Sequence, residues 1–248
     1  MKSRKTATIE DYPLSFRSAT SELEKKINYK FKDKTKLYIA LTHSSYSNEK
    51  SSFKYFPYNE RYEFFGDSIL SLVVSHSLFS SETNLPEGEM TRARAKIVCE
   101  DSLFNYAKQI ELGKYLLLGH GEEVTNGRNR RSILADAFEA LIAAIFEDGG
   151  HREATEFILK HAKSNIDLAL SGEICQDYKS LLQQIVQNSK GETLEYILIK
   201  EEGPEHKKIF TSEVHISGNV IASGSGTTKR ESEQAAAKEA LLLFGEKQ

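Results

Sequence analysis

Apolar residues recur at helical spacing through most of the first two-thirds of the chain. The stretches "LSLVVSHSLF" (70–79), "DSLFNYAKQI" (101–110) and "ATEFILKHAKSNIDLAL" (154–170) all carry this period. Strand-like alternation is nearly absent there. Glycines gather between these stretches, in "LGKYLLLGHGEEVTNG" (112–127) and "EDGG" (147–150). The pattern predicts an all-α domain over residues 18–168, preceded by a flexible N-terminal tail over 1–17. A Ser-Gly break in "ALSGEICQ" marks a linker over 169–175, after which the period changes. "DYKSLLQQIVQNS" is helical. "TLEYILIKEE" and "KKIFTSEVHI" are rich in β-branched and aromatic residues, and "GNVIASGSG" follows a Ser217-Gly218 turn. "KRESEQAAAKEALLLF" is built of strong helix formers. The expectation for 176–246 is a small α+β unit in the order α-β-β-β-α, about the size of an independent module.

Two of the predicted helices carry acids where a core-facing helix would not. "NERYEFFGDSIL" (59–70) places Glu60, Glu63 and Asp67 within about 60° of arc on an aromatic and aliphatic segment. Taken alone, this suits the solvated stripe of an amphipathic helix. "SILADAFEALIAAIF" (132–146) does not suit it. Twelve of its fifteen residues are apolar, and its only charges are Asp136 and Glu139 at i, i+3. A solvated stripe would continue to positions 143 and 146, which are Ala143 and Phe146. Two largely buried helices with acids on one face make sense if they face each other across a cation. Oxygen ligands without Cys or His favour Mg²⁺, and no Asp-rich loop of EF-hand spacing supports Ca²⁺. Gly66, inside the first of these helices, predicts close approach by another helix backbone.

Composition narrows the class. The chain has 248 residues, 39% hydrophobic and 28% charged, which describes a soluble globular protein. No run approaches the ~18 apolar residues of a membrane span, and "MKSRKTATIEDYPLSF" has no apolar signal core. Cys99 and Cys175 form no metal-spaced pair and suggest a reduced, cytoplasmic setting. Net charge is −3, but cations cluster: Arg92, Arg94 and Lys96; Arg128, Arg130 and Arg131; His206, Lys207 and Lys208; Lys229 and Arg230. Basic points on an acidic background fit a protein that grips phosphates at chosen places, although each cluster alone is an ordinary solvated surface. An acidic metal site beside arginines is the pattern expected for phosphodiester hydrolysis. No G-x-S-x-G, H-E-x-x-H, C-x-x-C or Rossmann fingerprint competes with it, and "GSGTTK" (224–229) lacks the ending of a phosphate-binding loop.

The segment "NERYEFFGDSIL" resembles the signature helix of the ribonuclease III family, and "SILADAFEALIAAIF" its second catalytic helix. "ALTHSSY" (40–46) and "LPEGEMTRARAKIV" (85–98) are similar to two further family segments. The C-terminal unit resembles a double-stranded RNA-binding domain through "DYKSLLQQIVQ", "GPEH" and "TKRESEQAAAKEAL". The resemblance covers roughly residues 20–246. It implies an endoribonuclease that cuts double-stranded RNA with Mg²⁺, for which Mn²⁺ can substitute, and that works as a homodimer leaving short 3′ overhangs. It implies Glu63, Asp136 and Glu139 as metal ligands, with Asp67 and Glu139 acting on the water nucleophile. Glu60 and Glu87 would line the valley, and Phe64 would be the aromatic knob at the dimer interface. Gln183, Gln187, His206, Lys229 and Arg230 would bind RNA. Processing of ribosomal RNA precursors and messenger RNA is the implied role.

Three departures stand out. Tyr62 and Phe65 replace smaller aliphatics of the signature, and Ser232 replaces a small apolar residue in the last helix. Residues 176–248 hold nine Lys/Arg against eleven Asp/Glu, so RNA affinity is expected to be modest and salt-dependent. Two other readings remain at this point: a non-catalytic double-stranded RNA-binding protein, and a metal-dependent phosphohydrolase of small nucleotides. The complete acid set weighs against the first, and the RNA-binding unit against the second.

Overall fold

A computed structural model describes residues 5–50, 54–171, 178–188, 191–204 and 208–244. The chain divides into two compact units, 1–175 and 176–248. In the first unit the helices are α1 (Leu14–Ile27), α2 (Lys34–Ala40), α3 (Ser44–Lys50), α4 (Glu60–Phe79), α5 (Glu87–Ile97), α6 (Glu100–Gln109), α7 (His120–Val124), α8 (Arg131–Gly149) and α9 (His151–Leu170). No strand of more than an isolated bridge occurs among its described residues.

α8 is the axis of this unit. Leu141, Ile142, Ala143, Ala144 and Ile145 are all fully buried, so over this stretch the helix is apolar around its whole circumference, as a central helix must be. α2, α4, α6 and α9 pack around it. Its C-terminal end is tied to the loop after α1 by Asp148, whose carboxylate accepts hydrogen bonds from the Tyr29 hydroxyl (2.7 Å) and the backbone N–H groups of Lys32 and Asp33 (both 2.9 Å). Burial alone would push the Asp148 pKa up. The three hydrogen bonds and the Lys36 charge outweigh it and hold it below the ordinary carboxylate value.

The segment expected to be a tail packs on the core over much of its length. Tyr12 and Phe16 are buried, and Tyr12 sits in an aromatic cluster with Phe16, Tyr38 and Phe56 at centroid distances of 5.0–5.8 Å. The Ala7 N–H donates to the Tyr55 carbonyl (2.8 Å), and the Tyr55 N–H to the Lys5 carbonyl (3.1 Å). Two aromatics supply enough apolar area to dock a segment that otherwise reads as polar. α1 accordingly begins at Leu14. α9 likewise runs through Ala169, which is buried, to Leu170, so the start of the expected linker is helical. The rest of that linker lies outside the described residues, apart from Ser171.

The second unit contains α10 (Tyr178–Asn188), β1 (Leu194–Glu202), β2 (Ile209–Ile216), β3 (Asn219–Gly226) and α11 (Lys229–Leu243). The strands form one antiparallel sheet in the order β1-β2-β3. Val214 and Ile216 point inwards against Leu182 and Val186 of α10 and against Ala236, Ala237, Ala240 and Leu241 of α11. The alanines let α11 lie close on β3, where a Cβ at Gly224 would collide with the backbone of Ala235 and Ala236. Ser232 is buried on this contact, and its hydroxyl meets that of Ser212 (2.7 Å) and donates to the Lys229 carbonyl (2.9 Å). A polar residue is therefore accommodated at a position that usually holds an apolar one. Among the described residues, no helix is long and apolar enough to cross a membrane.

His161 of α9 gives the helical unit a pH-sensitive core contact. Its ring packs on Phe157 (4.7 Å) and Phe138 (5.9 Å), Nδ1 lies 3.1 Å from Gln109 Oε1, and Nε2 is buried without a partner among the described residues. Burial, with a smaller contribution from Lys160, lowers its pKa from 6.5 to about 4. Unfolded chains bind the extra proton below pH 6.5 and folded ones only near pH 4, so stability is lost as pH falls through this window. The loss is at most about 3 kcal/mol. Replacing His161 with Phe should flatten this acid limb. Melting curves between pH 4 and 7 check it, and parallel Tm profiles for both proteins would show that His161 contributes nothing.

Candidate metal centre and nucleic-acid surface

The candidate centre exists because α4 and α8 touch at their backbones. A Cβ at Gly66 would collide with the carbonyl of Glu139, so only glycine permits this approach. The contact brings Glu63 of α4 beside Asp136 and Glu139 of α8. One carboxylate oxygen from each lies within 4.8 Å of the others, and all three side chains are half-buried.

The electrostatics are those of acids assembled without a counter-charge. Glu139 is pushed up to about 8, first by burial and then by the charges of Asp67, Glu63 and Asp136. Glu63 is raised by burial and then by Asp136, Glu60 and Asp67. Asp136 is raised by burial and by Glu100. Among the described residues, no lysine, arginine or histidine pairs with Glu63, Asp136 or Glu139. Hard oxygen donors at this spacing, with nothing basic to neutralise them, fit a divalent cation.

Asp67 and Glu60 are exposed at the margin, close enough for their charges to act on Glu63. Glu87 accepts a hydrogen bond from the Thr91 hydroxyl (2.9 Å) and borders a groove between α4 and α5. Glu100 was not anticipated. It is an exposed acid in the first turn of α6, and nothing in "CEDS" distinguishes it from an ordinary helix-start acid; only the fold carries it towards Asp136.

Phe64 points away from the acids and is 78% exposed. Leu72 and Phe79 are also exposed further along α4. They border the same α4–α5 groove, of about 470 Å³, which Met90, His76 and Arg94 also line. Of the two unusual aromatics, Phe65 stacks edge-on against Phe146 of α8 (5.4 Å), and Tyr62 packs against the core.

In the second unit, Gln183 and Gln187 are exposed one turn apart on α10, and Lys229 and Arg230 are exposed at the start of α11. His206 lies outside the described residues. The cluster at 128–131 is structurally engaged: Arg128 pairs with Glu123, Arg130 with Glu122 and Arg131 with Asp101.

A helical unit holding a half-buried acid trio fit for a cation, followed by a helix-flanked three-stranded sheet, defines a metal-dependent nuclease with an RNA-binding module. Comparison with known proteins makes the class specific. Residues 33–166 match the ribonuclease-III-like family and residues 178–243 the double-stranded RNA binding motif. Ribonuclease 3 of Clostridium tetani is 51% identical over 220 residues, covering 89% of this chain and 92% of that protein. Ribonuclease 3 of Caldanaerobacter subterraneus is 50% identical over 223 residues, covering 90% and 97%. The solved nuclease domain of ribonuclease III from Campylobacter jejuni is 39% identical and superposes with a TM-score of 0.52, over 58% of this chain and 96% of that one. The chain belongs to the ribonuclease III family of double-strand-specific endoribonucleases.

The Gly66 contact is directly testable. Gly66→Ala should cost about 1–3 kcal/mol through overpacking against the Glu139 carbonyl. Gly88→Ala is the control, since its added Cβ would meet only the Arg92 guanidinium, at 3.8 Å, and it should be neutral or slightly stabilising. Urea unfolding of the two variants separates these outcomes. Equal stability would mean that the helices do not need the glycine.

Proposed function

We propose that the chain cuts double-stranded RNA in the cytoplasm as a Mg²⁺-dependent homodimer, each subunit's centre cutting one strand, so that short 3′ overhangs result. The observation that carries this reading is the convergence of Glu63, Asp136 and Glu139, with Asp67 beside them and no basic partner. These three residues would hold the cation. When bound, it supplies Lewis-acid polarisation of the scissile phosphate and a more acidic water. Asp67 and Glu139 orient the attacking water and take up its proton. Glu63 and Asp136 act as fixed ligands.

Substrate choice falls to the second unit. A-form RNA hides its base edges in a deep groove, so a protein reads its shape through 2′-hydroxyls and phosphates. Gln183 and Gln187, both exposed on α10, would enter a minor groove, and His206 would reach the next. Lys229 and Arg230 meet phosphates at the N-terminus of α11, where the helix dipole also favours anions. Structured precursors, including those of ribosomal and messenger RNA, are the implied substrates.

The homodimer is supported by complementary features on one subunit: a protruding Phe64 and an apolar groove between α4 and α5. Under two-fold symmetry each subunit would offer its ring and receive the other's. The solved Campylobacter jejuni nuclease domain is itself described with flexibility in a region involved in dimer formation.

Incubating the purified protein with a long RNA duplex, with and without Mg²⁺, tests the activity. Glu139→Gln removes a charged ligand at nearly constant volume. Duplex cleavage should fall by several orders of magnitude while duplex binding persists, and cleavage near the wild-type rate would sink the role given to α8. Phe64→Ala should shift the protein towards monomer and lower activity, since a buried aromatic at an interface can contribute about 2 kcal/mol or more, counted twice in a symmetric dimer. Sedimentation at low micromolar concentration reads the mass. An unchanged dimer would place the seam elsewhere.

A further inference from the structure

The N–H of Glu63 closes the first hydrogen bond of α4, onto the Asn59 carbonyl (2.8 Å). Asn59 stands at the N-cap of that helix, yet its side chain makes no capping hydrogen bond. A side-chain cap is what ordinarily steadies a first turn. This turn also carries Glu60 and Glu63 three residues apart, a like-charge pair that works against it. It lies ahead of Gly66, where the backbone contact with α8 anchors the helix. Order in the turn that presents Glu63 must therefore come from whatever holds Asn59.

Asn59 is buried, and two supports reach it. One is the Thr42 carbonyl, which accepts the Asn59 N–H (2.9 Å). Thr42 is itself buried, with its hydroxyl donating to the Tyr38 carbonyl (2.7 Å). The other support is the chain just before Asn59, where Phe56 is buried and its carbonyl accepts the Ser47 hydroxyl (2.5 Å). The Tyr12 ring touches both. It lies 5.0 Å from the Tyr38 ring and meets Phe56 edge-on at 5.2 Å. The segment that carries Tyr12 is fastened to the same stretch of chain. Tyr55 donates its N–H to the Lys5 carbonyl and accepts the Ala7 N–H, and Lys54 pairs with Asp11 (2.5 Å).

We infer that Tyr12 is a positioning residue for the metal centre. By clamping Tyr38 and Phe56 it holds Asn59, and through Asn59 the uncapped turn that brings Glu63 to Asp136 and Glu139. The inference rests on the reading of that acid trio as a metal site, and adds what keeps one of its members in place. Aromatic pairs of this geometry contribute beyond the area they bury, so removing the Tyr12 ring loosens both supports at once. The loss should appear as opening of one helix end, which costs far less than opening the whole unit.

The test is amide hydrogen exchange of the full chain over residues 60–65, in wild type, Tyr12→Ala, Tyr12→Phe and Ile166→Ala. Ile166 is buried on α9 beside Asn165, whose amide reaches Ser102 and Tyr106 of α6, so its truncation destabilises the unit at a different place. Exchange is compared at equal distance below each protein's Tm. Tyr12→Ala should speed exchange over 60–65 roughly tenfold. Tyr12→Phe, which keeps the ring, and Ile166→Ala should leave it unchanged. With an RNA duplex, the Mg²⁺ concentration for half-maximal cleavage should rise on the order of tenfold in Tyr12→Ala alone, with KM for the duplex near wild type. Wild-type exchange in Tyr12→Ala, or an equal gain in Ile166→Ala or Tyr12→Phe, overturns the inference. Faster exchange with an unchanged Mg²⁺ requirement overturns it too, since the clamp would then serve the fold only. If Tyr12→Ala does not fold, Tyr12→Leu takes its place under the same criteria. A wild-type chain whose duplex cleavage does not respond to Mg²⁺ overturns the metal-site reading instead.

Discussion

The nuclease unit depends on one backbone contact, between Gly66 of α4 and the Glu139 carbonyl of α8. In this unit the carboxylates of the two helices meet at a crossing closer than ordinary side chains there would allow. Glycine at the crossing removes that obstacle, at a cost of about 1 kcal/mol in helix propensity. The contact then imposes a second cost, because it gathers half-buried acids whose burial and mutual repulsion raise their pKa values. What offsets this is α8 itself, which is apolar on every other face and packed by α2, α4, α6 and α9. The core is thus built around a helix whose two mid-helix carboxylates, Asp136 and Glu139, would be its worst feature in any protein without a cation to bind.

Charge elsewhere follows a different rule. Arg128, Arg130 and Arg131 look like phosphate-binding residues in sequence, yet each has its own carboxylate in space. Cations without such partners are found on α5 and at the start of α11. Pairing therefore separates arginines that brace the protein from those left available to a polyanion, a distinction to which net charge is blind. With a net charge of −3, the chain relies on where its free cations stand rather than on their excess.

Much of this was legible in advance because it rests on local patterns. The order of helices and strands follows from periodicity, and the α8 acids could be singled out because positions 143 and 146 break any solvated stripe. Gly66 pointed to a helix backbone, and that neighbour is α8. What could not be read depends on partners distant in sequence. The N-terminal residues look like a tail until Tyr12 meets Tyr38 and Phe56. Ser232 looks anomalous until Ser212 faces it. Glu100 is an unremarkable helix-start acid until α6 is laid beside α8.

α4 shows how one short segment serves three purposes at once. Ile69, Leu70, Val73 and Val74 face the core, Glu63 faces the acids of α8, and Phe64, Leu72 and Phe79 face outwards. At 100° per residue Phe64, Leu72 and Phe79 share one side, while Glu63 stands in line with Leu70 and Val74 at the N-terminal end of the buried side, so neighbours such as Glu63 and Phe64 serve different sides. The helix is anchored by the Gly66 contact and its buried stripe, which leaves it little freedom to move one sector without the others. A partner docking against Phe64 would bear on the same rigid element that positions Glu63. In the proposed dimer, assembly and metal geometry are therefore mechanically linked through a single helix, and no longer communication path is needed to make cleavage depend on pairing.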